Sequence, residues 1–157
     1  MTDLIAVYQR LSRLPGGKRL FSLMVARQAP YFRTIRPTIE ALSPGHCEVS
    51  MPKRRAVHNH IGTVHAIACC NLCEVAAGLM IEASLPRALR WIPKGMTVRY
   101  LKKAETDLHA TVSLPMAELA QPGDRVLPVV VRDRRGQIVV EADITMYVSA
   151  RPSPSST

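Results

Sequence analysis

The stretch from Asn59 to Met80, NHIGTVHAIACCNLCEVAAGLM, places groups that can hold or move a proton at short intervals. Glu74 is its one carboxylate, and His65 and Asn59 can orient a water or a carbonyl. Glu74 stands mid-segment among apolar neighbours, where an ionised carboxylate is costly unless it is hydrogen-bonded or held neutral. Two readings follow: a reactive or substrate-facing group, or one that caps a loop or pairs with an arginine. His65 divides the same way, between a site residue and a satisfied structural histidine. His58 and His60 read as exposed loop residues.

CCxxC at Cys69, Cys70 and Cys73 is a metal half-site by type. No second Cys or His pair stands at zinc spacing, and His65 is one extra candidate, so buried small thiols are the favoured account and no metal is expected. With Cys47 these make four cysteines, three of them on one expected helix where disulfide geometry is poor. The pattern suits a reducing compartment.

These groups must be carried by a helix. After Thr63, the expected N-cap, the segment runs apolar for five turns, broken only by Asn71 and Glu74, and ends before Pro86. Ala66, Ala68, Cys69, Cys70, Cys73, Ala76, Ala77 and Gly78 leave little side chain on any face, which describes a helix enclosed by a sheet. Its length and apolarity would also suit a membrane span, but His65, Asn71 and Glu74 argue against one. The chain is expected to be soluble.

Around that helix the periodicity is of strands. Thr38 to Leu42 and His46 to Met51 form a hairpin, and four more strands are expected at Gly95 to Ala104, Asp107 to Leu114, Arg125 to Asp133 and Gln137 to Ser149. Before them, two helices are expected at Leu4 to Leu14 and Lys18 to Arg27. The class is α+β, with an antiparallel sheet of five to six strands wrapped around a long central helix. The domain reading is 1–34 as an N-terminal helical extension, 35–150 as the main domain, and 151–157 as a disordered polar tail.

At 157 residues, 47% apolar but only 4% aromatic, the chain is one domain with an aliphatic core. Its net charge of +9 is concentrated in residues 1–37, where seven Arg or Lys face Asp3 alone. Such a balance favours nucleic acid, an acidic membrane surface or a phosphate-bearing ligand. Nucleic acid is disfavoured, because neither aromatic interleaving nor a helix-turn-helix pattern accompanies the charge. For the two helices, packing on the domain is favoured over attachment to a membrane surface by a basic amphipathic face. No apolar secretory run precedes a cleavage site, while the Arg-rich, acid-poor start is shared with organelle transit peptides. A cytoplasmic protein is the expectation.

The layout, with Asn59, Gly62, His65, Glu74 and Gly78 in register, resembles the hotdog-fold acyl-CoA thioesterases, specifically the phenylacetyl-CoA thioesterase-like group and an uncharacterised branch near it. That resemblance covers about residues 35–150. It implies a hotdog fold and hydrolysis of an acyl-CoA or similar acyl thioester by a homodimer, or a tetramer built from it, with no cofactor. It implies further that an amide at or next to Ala66 polarises the thioester carbonyl. Glu74 of the partner subunit would be the general base or nucleophile, Asn59 would position the water or carboxylate, and His65 would orient the loop or thioester. Gly62, Thr63, Thr97, Tyr100, Lys102 and Lys103 are the expected substrate-binding residues.

Hydrolysing a thioester needs a base or nucleophile near the carbonyl carbon and donors facing the developing oxyanion. A helix start supplies such donors through its unpaired N–H groups. The chain departs from the family at three places. His65-Ala66-Ile67 stands for His-Gly-Gly, Thr97 is the nearest hydroxyl where Trp91, Ile92 and Pro93 occupy the usual place, and Tyr100-Leu101-Lys102-Lys103-Ala104 carries Lys for Pro. These departures keep one alternative open, a non-catalytic acyl-CoA or lipid-binding module; a third reading is a hotdog dehydratase or hydratase, which uses a His and an acidic residue. Lys102, Lys103, Arg134 and Arg135 read either as coenzyme A phosphate contacts or as solvated strand ends and turns.

Overall fold

A computed structural model describes residues 4–119 and 121–152; the expected tail from 153 onward lies outside the described residues. Helices α1 (Leu4–Ser12) and α2 (Gly17–Gln28) come first, followed by a 3-10 turn at Pro30–Thr34. Strands β1 (Thr38–Ser43) and β2 (His46–Met51) make the expected hairpin, and a second 3-10 turn at Arg55–Val57 leads to α3 (Ala66–Ser84). Then come β3 (Leu89–Tyr100), β4 (Leu108–Ser113), a short α4 (Met116–Leu119), β5 (Gly123–Asp133) and β6 (Ile138–Ala150). The six strands form one antiparallel sheet in the order β1-β2-β4-β5-β6-β3. This is the hotdog architecture, a curled sheet holding a helix.

Alternation builds the concave face. In β6, Val140, Ala142, Ile144, Met146 and Val148 are buried while Glu141, Asp143 and Thr145 are not. Cys47, Val49 and Met51 of β2, Ala110 and Val112 of β4, and Leu127, Val129 and Val131 of β5 continue that surface. Leu72, Cys73, Val75, Ala76, Met80 and Ile81 of α3 fill it. By length and composition α3 could also cross a membrane, yet here it is the core helix of the sheet.

Two elements, β3 and α3, differ from expectation. β3 begins at Leu89 rather than Gly95, because Pro93 and Gly95 are absorbed by a register shift between them, which an edge strand tolerates. α3 is not enclosed on every side: Ile67 is exposed, and Ala66, Cys70, Glu74 and Gly78 are only half-buried, so one strip of the helix lies open beside β3. In α2 the core takes Phe21, Ser22 and Ala26, and turns Leu20, Leu23 and Met24 outward. The sheet edge needs a hydroxyl at Ser22, whose Oγ accepts the Ile39 N–H at 2.8 Å.

Candidate functional site

Asn59 opens a five-residue loop and also ties it shut. Its Oδ1 accepts the N–H groups of Ile61 and Thr63, both at 3.1 Å, and its Nδ2 donates to Thr63 Oγ1 at 2.7 Å. Its own N–H donates to the Thr63 carbonyl at 2.9 Å. Gly62 sits at φ +79°, in the left-handed region that favours glycine. Because the Thr63 hydroxyl serves this loop, it does not cap α3. The cap is His65, whose Nδ1 accepts the Ile67 N–H at 3.1 Å. A ring that accepts at Nδ1 carries its proton on Nε2.

The helix start is pinned on both sides, with Val64 N–H donating to Ala104 and His65 N–H donating to Val57, each at 2.8 Å. The first turn is therefore accounted for donor by donor. Ile67 N–H goes to the His65 ring and Ala68 N–H to the His65 carbonyl at 3.0 Å. Ala66 N–H has no acceptor among the described residues. A donor of that kind at a helix N-terminus can stabilise negative charge.

Four residues down the open strip follow at steps of four: Ala66, Cys70, Glu74 and Gly78. Tyr100, at the end of β3, closes over the first of them. Its hydroxyl lies 3.0 Å from Cys70 Sγ and 3.5 Å from the Ala66 carbonyl. That hydrogen bond to Cys70, and then burial, push the Tyr100 hydroxyl up to about 12. At the far end Trp91 lies on Gly78, where an added Cβ would stand 3.2 Å from the indole, and the indole N–H donates to Glu82 at 2.8 Å. The glycine thus serves helix-to-strand packing. Between these ends Glu74 is half-buried, and its carboxylate makes neither hydrogen bond nor ion pair with any described residue. Glu74 and Ala66 are eight residues apart on one helix, about 12 Å along its axis. Within one chain they cannot meet on the same carbonyl group.

The other expected residues divide. Thr97 lies on the outer face of β3 with Arg99, which pairs with Glu141 at 3.1 Å and Asp143 at 3.5 Å, so the structure does not bring it to the strip. Lys102 donates to Gln137 at 3.2 Å and Arg134 pairs with Asp107 at 2.9 Å. Lys103 and Arg135 have exposed side chains with no ion-pair partner among the described residues.

His58, expected in the open, is half-buried, and its Nε2 has no partner. It lines a cleft of about 190 Å³ with Thr34, His65, Ile67 and Asn71. Asn71 donates to Thr34 at 3.1 Å while its own buried Oδ1 is left without a donor. From sequence Cys70 reads only as part of a metal half-site, and Asn71 is not singled out as a site residue. The signal was present in their spacing, since Cys70 stands midway between Ala66 and Glu74. Cys69 and Cys73 point inward, and burial pushes the Cys69 thiol up to about 12 and raises that of Cys73. No three His, Cys, Asp or Glu side chains cluster as a metal site among the described residues.

The family described as a domain of unknown function, DUF4442, matches residues 17–148. A solved structure described as genomics APC5556 is 45% identical, covers 94% of this chain and 99% of its own, and superposes with a TM-score of 0.84. PA5026 of Pseudomonas aeruginosa, described as a probable thioesterase, is 23% identical over 88% of this chain and 97% of its own, with a TM-score of 0.77. A hypothetical thioesterase protein of Streptococcus pneumoniae, solved with coenzyme A, is 20% identical over 82% of this chain and 99% of its own, with a TM-score of 0.67. The latter two share the fold. No curated protein matches the chain.

Proposed function

We propose that this chain, which belongs to the DUF4442 family, hydrolyses an acyl-CoA or similar acyl thioester in a site shared by two copies. One observation carries the reading: an unpartnered carboxylate, Glu74, and an unpartnered helix-start donor, the Ala66 N–H, lie on one open strip of α3 but too far apart to act together. A second copy laid antiparallel along the free edge of β3 brings Glu74 of one copy against Ala66 of the other. The same pairing covers the bare strand edge and Ile67.

In that site Glu74 takes a proton from water as the water oxygen bonds to the thioester carbon. The carbonyl oxygen becomes negative and is held by the Ala66 N–H. As the C–O double bond re-forms, the C–S bond breaks and the sulfur leaves with the proton Glu74 held. A carboxylic acid and a free thiol result. Asn59 keeps the preceding loop closed, and His65 sets the helix start by occupying the Ile67 N–H. Tyr100 holds β3 against the first turn. Lys103 and Arg135, exposed and without an ion-pair partner among the described residues, are the candidates for coenzyme A phosphates, a ligand choice supported by the coenzyme A in the Streptococcus pneumoniae structure. Four free thiols suit a reducing cytoplasm.

A second reading rests on Ile67. Its N–H is taken by the His65 ring and its side chain is exposed at the helix start, which leaves a single free donor and crowds the approach. A binding module that keeps the pocket without turnover would have this form. The test is thiol release from short, long and aromatic acyl-CoA substrates, wild type beside Glu74→Gln. Release that disappears in the variant supports the hydrolase; tight acyl-CoA binding without release by the wild type overturns it in favour of the module.

A further inference from the structure

α2 presents to solvent the kind of face that a helix normally buries. Leu20, Leu23, Met24 and Arg27 fall at i, i+3, i+4 and i+7, one continuous stripe. Leu20, Leu23 and Met24 are 50%, 57% and 47% exposed, and Leu14 and Tyr31 beside them are 58% and 64% exposed. The core contact on the opposite side of the helix is already made by Phe21, Ser22 and Ala26. The stripe is therefore surplus to folding, and its exposure carries a cost in apolar hydration.

Its rim is cationic. Between residues 4 and 39 there is no carboxylate, and the stripe ends in Arg27 and is flanked by Arg13, Arg19 and Arg33. None of these has an ion-pair partner among the described residues, whereas Lys18, on the inner side of the helix, pairs with Glu40 at 3.4 Å. Beside the helix an open groove of about 990 Å³ is lined by Arg19, Arg33 and Arg36. Its two carboxylates are engaged elsewhere, Glu40 with Lys18 and Ser50, and Asp107 with Arg134.

An apolar stripe bordered by unpaired arginines, with a tyrosine at its margin, matches a bilayer interface that carries negative headgroups. We infer that α2 and the following turn dock this protein on an anionic membrane surface, with Leu20, Leu23 and Met24 entering the acyl boundary and Arg19, Arg27 and Arg33 meeting phosphates. This face lies at the β1 side of the sheet, the opposite end from β3, so edge-to-edge pairing through β3 leaves it free. It does not depend on the thioesterase reading.

The test is co-sedimentation of the full chain with vesicles of equal parts phosphatidylcholine and phosphatidylglycerol, and with phosphatidylcholine alone. Binding to the mixed vesicles only, released by high salt, is the expected result. Leu20→Ser with Leu23→Ser, and separately Arg19→Glu with Arg27→Glu, should each weaken partition by about tenfold or more. All four positions are exposed, and an unchanged thermal midpoint confirms that the variants fold. Failure to bind mixed vesicles, equal binding to both vesicle types, or retained binding in either double variant overturns the inference. So does salt-sensitive binding to duplex DNA without binding to vesicles.

Discussion

At the β1 edge of the sheet the chain satisfies its own backbone: the Ile39 N–H donates to Ser22 Oγ at 2.8 Å and the Glu40 carbonyl accepts the Tyr8 hydroxyl at 2.7 Å. At the β3 edge no strand among the described residues pairs on the outer side, and Ile92 and Tyr100 are more than half exposed. A sheet edge is a row of unpaired donors and acceptors, and proteins cover, charge or pair such rows. Here one edge is covered by α1 and α2, and the other, together with the open strip of α3, is left open among the described residues, which is where the proposed second copy would pair. The groups with chemistry lie at the uncovered end.

Substitutions at the two edges should therefore fail in different ways. At the open end Glu74→Gln is expected to lower thiol release by about a hundredfold or more with the oligomer unchanged, read by steady-state kinetics beside gel filtration. Ile92→Lys puts a charge on the bare edge and should weaken self-association by about tenfold or more, seen by analytical ultracentrifugation as a shift to monomer. Activity should fall with it, since neither copy then completes a site. At the covered end Ser22→Ala orphans a buried N–H and should cost about 1–3 kcal/mol in denaturant unfolding without changing the association of the folded protein. If Ser22→Ala altered assembly more than Ile92→Lys, the assignment of the two edges would be reversed.

The smallest effect is in alkali. Tyr8, at the covered edge, is raised above its ordinary value of 10.0 by burial first and then by Glu40, while Tyr100, at the open edge, is pushed up to about 12 by its bond to Cys70 and then by burial. Both native hydroxyls keep protons that the unfolded chain gives up near 10. Their contribution is whole below pH 10 and is lost as pH rises above 10, for Tyr100 toward about 12. Thermal midpoints should drop more steeply over that interval in wild type than in Tyr8→Phe or Tyr100→Phe.

Much of this was written in local pattern. Alternation at two residues placed β2, β4 and β6 nearly to the residue, because one buried face imposes that period wherever a strand lies in the sheet. The small residues of α3 marked the central helix, and the spacing of Asn59, Gly62, His65, Glu74 and Gly78 carried the resemblance to the hotdog thioesterases. Local chemistry misled where partners come from elsewhere. Thr63 has the type of an N-cap, but Asn59 claims its hydroxyl, and His65 does the capping. Pro93 and Gly95 look like breakers, yet an edge strand with one neighbour accommodates them as an irregularity.

Sequence alone determined the helix, the strand periods and the presence of a lone carboxylate on an apolar segment, since each depends on residues close together in the chain. Tertiary structure decided the rest: which face of α2 the core takes, which edge of the sheet is covered, and that Glu74 and the Ala66 N–H share a strip yet stand apart. Those outcomes are set by contacts across tens of residues, where a hydroxyl such as Ser22 outweighs Leu20 for the inner position because a buried edge N–H needs an acceptor and an apolar side chain has none.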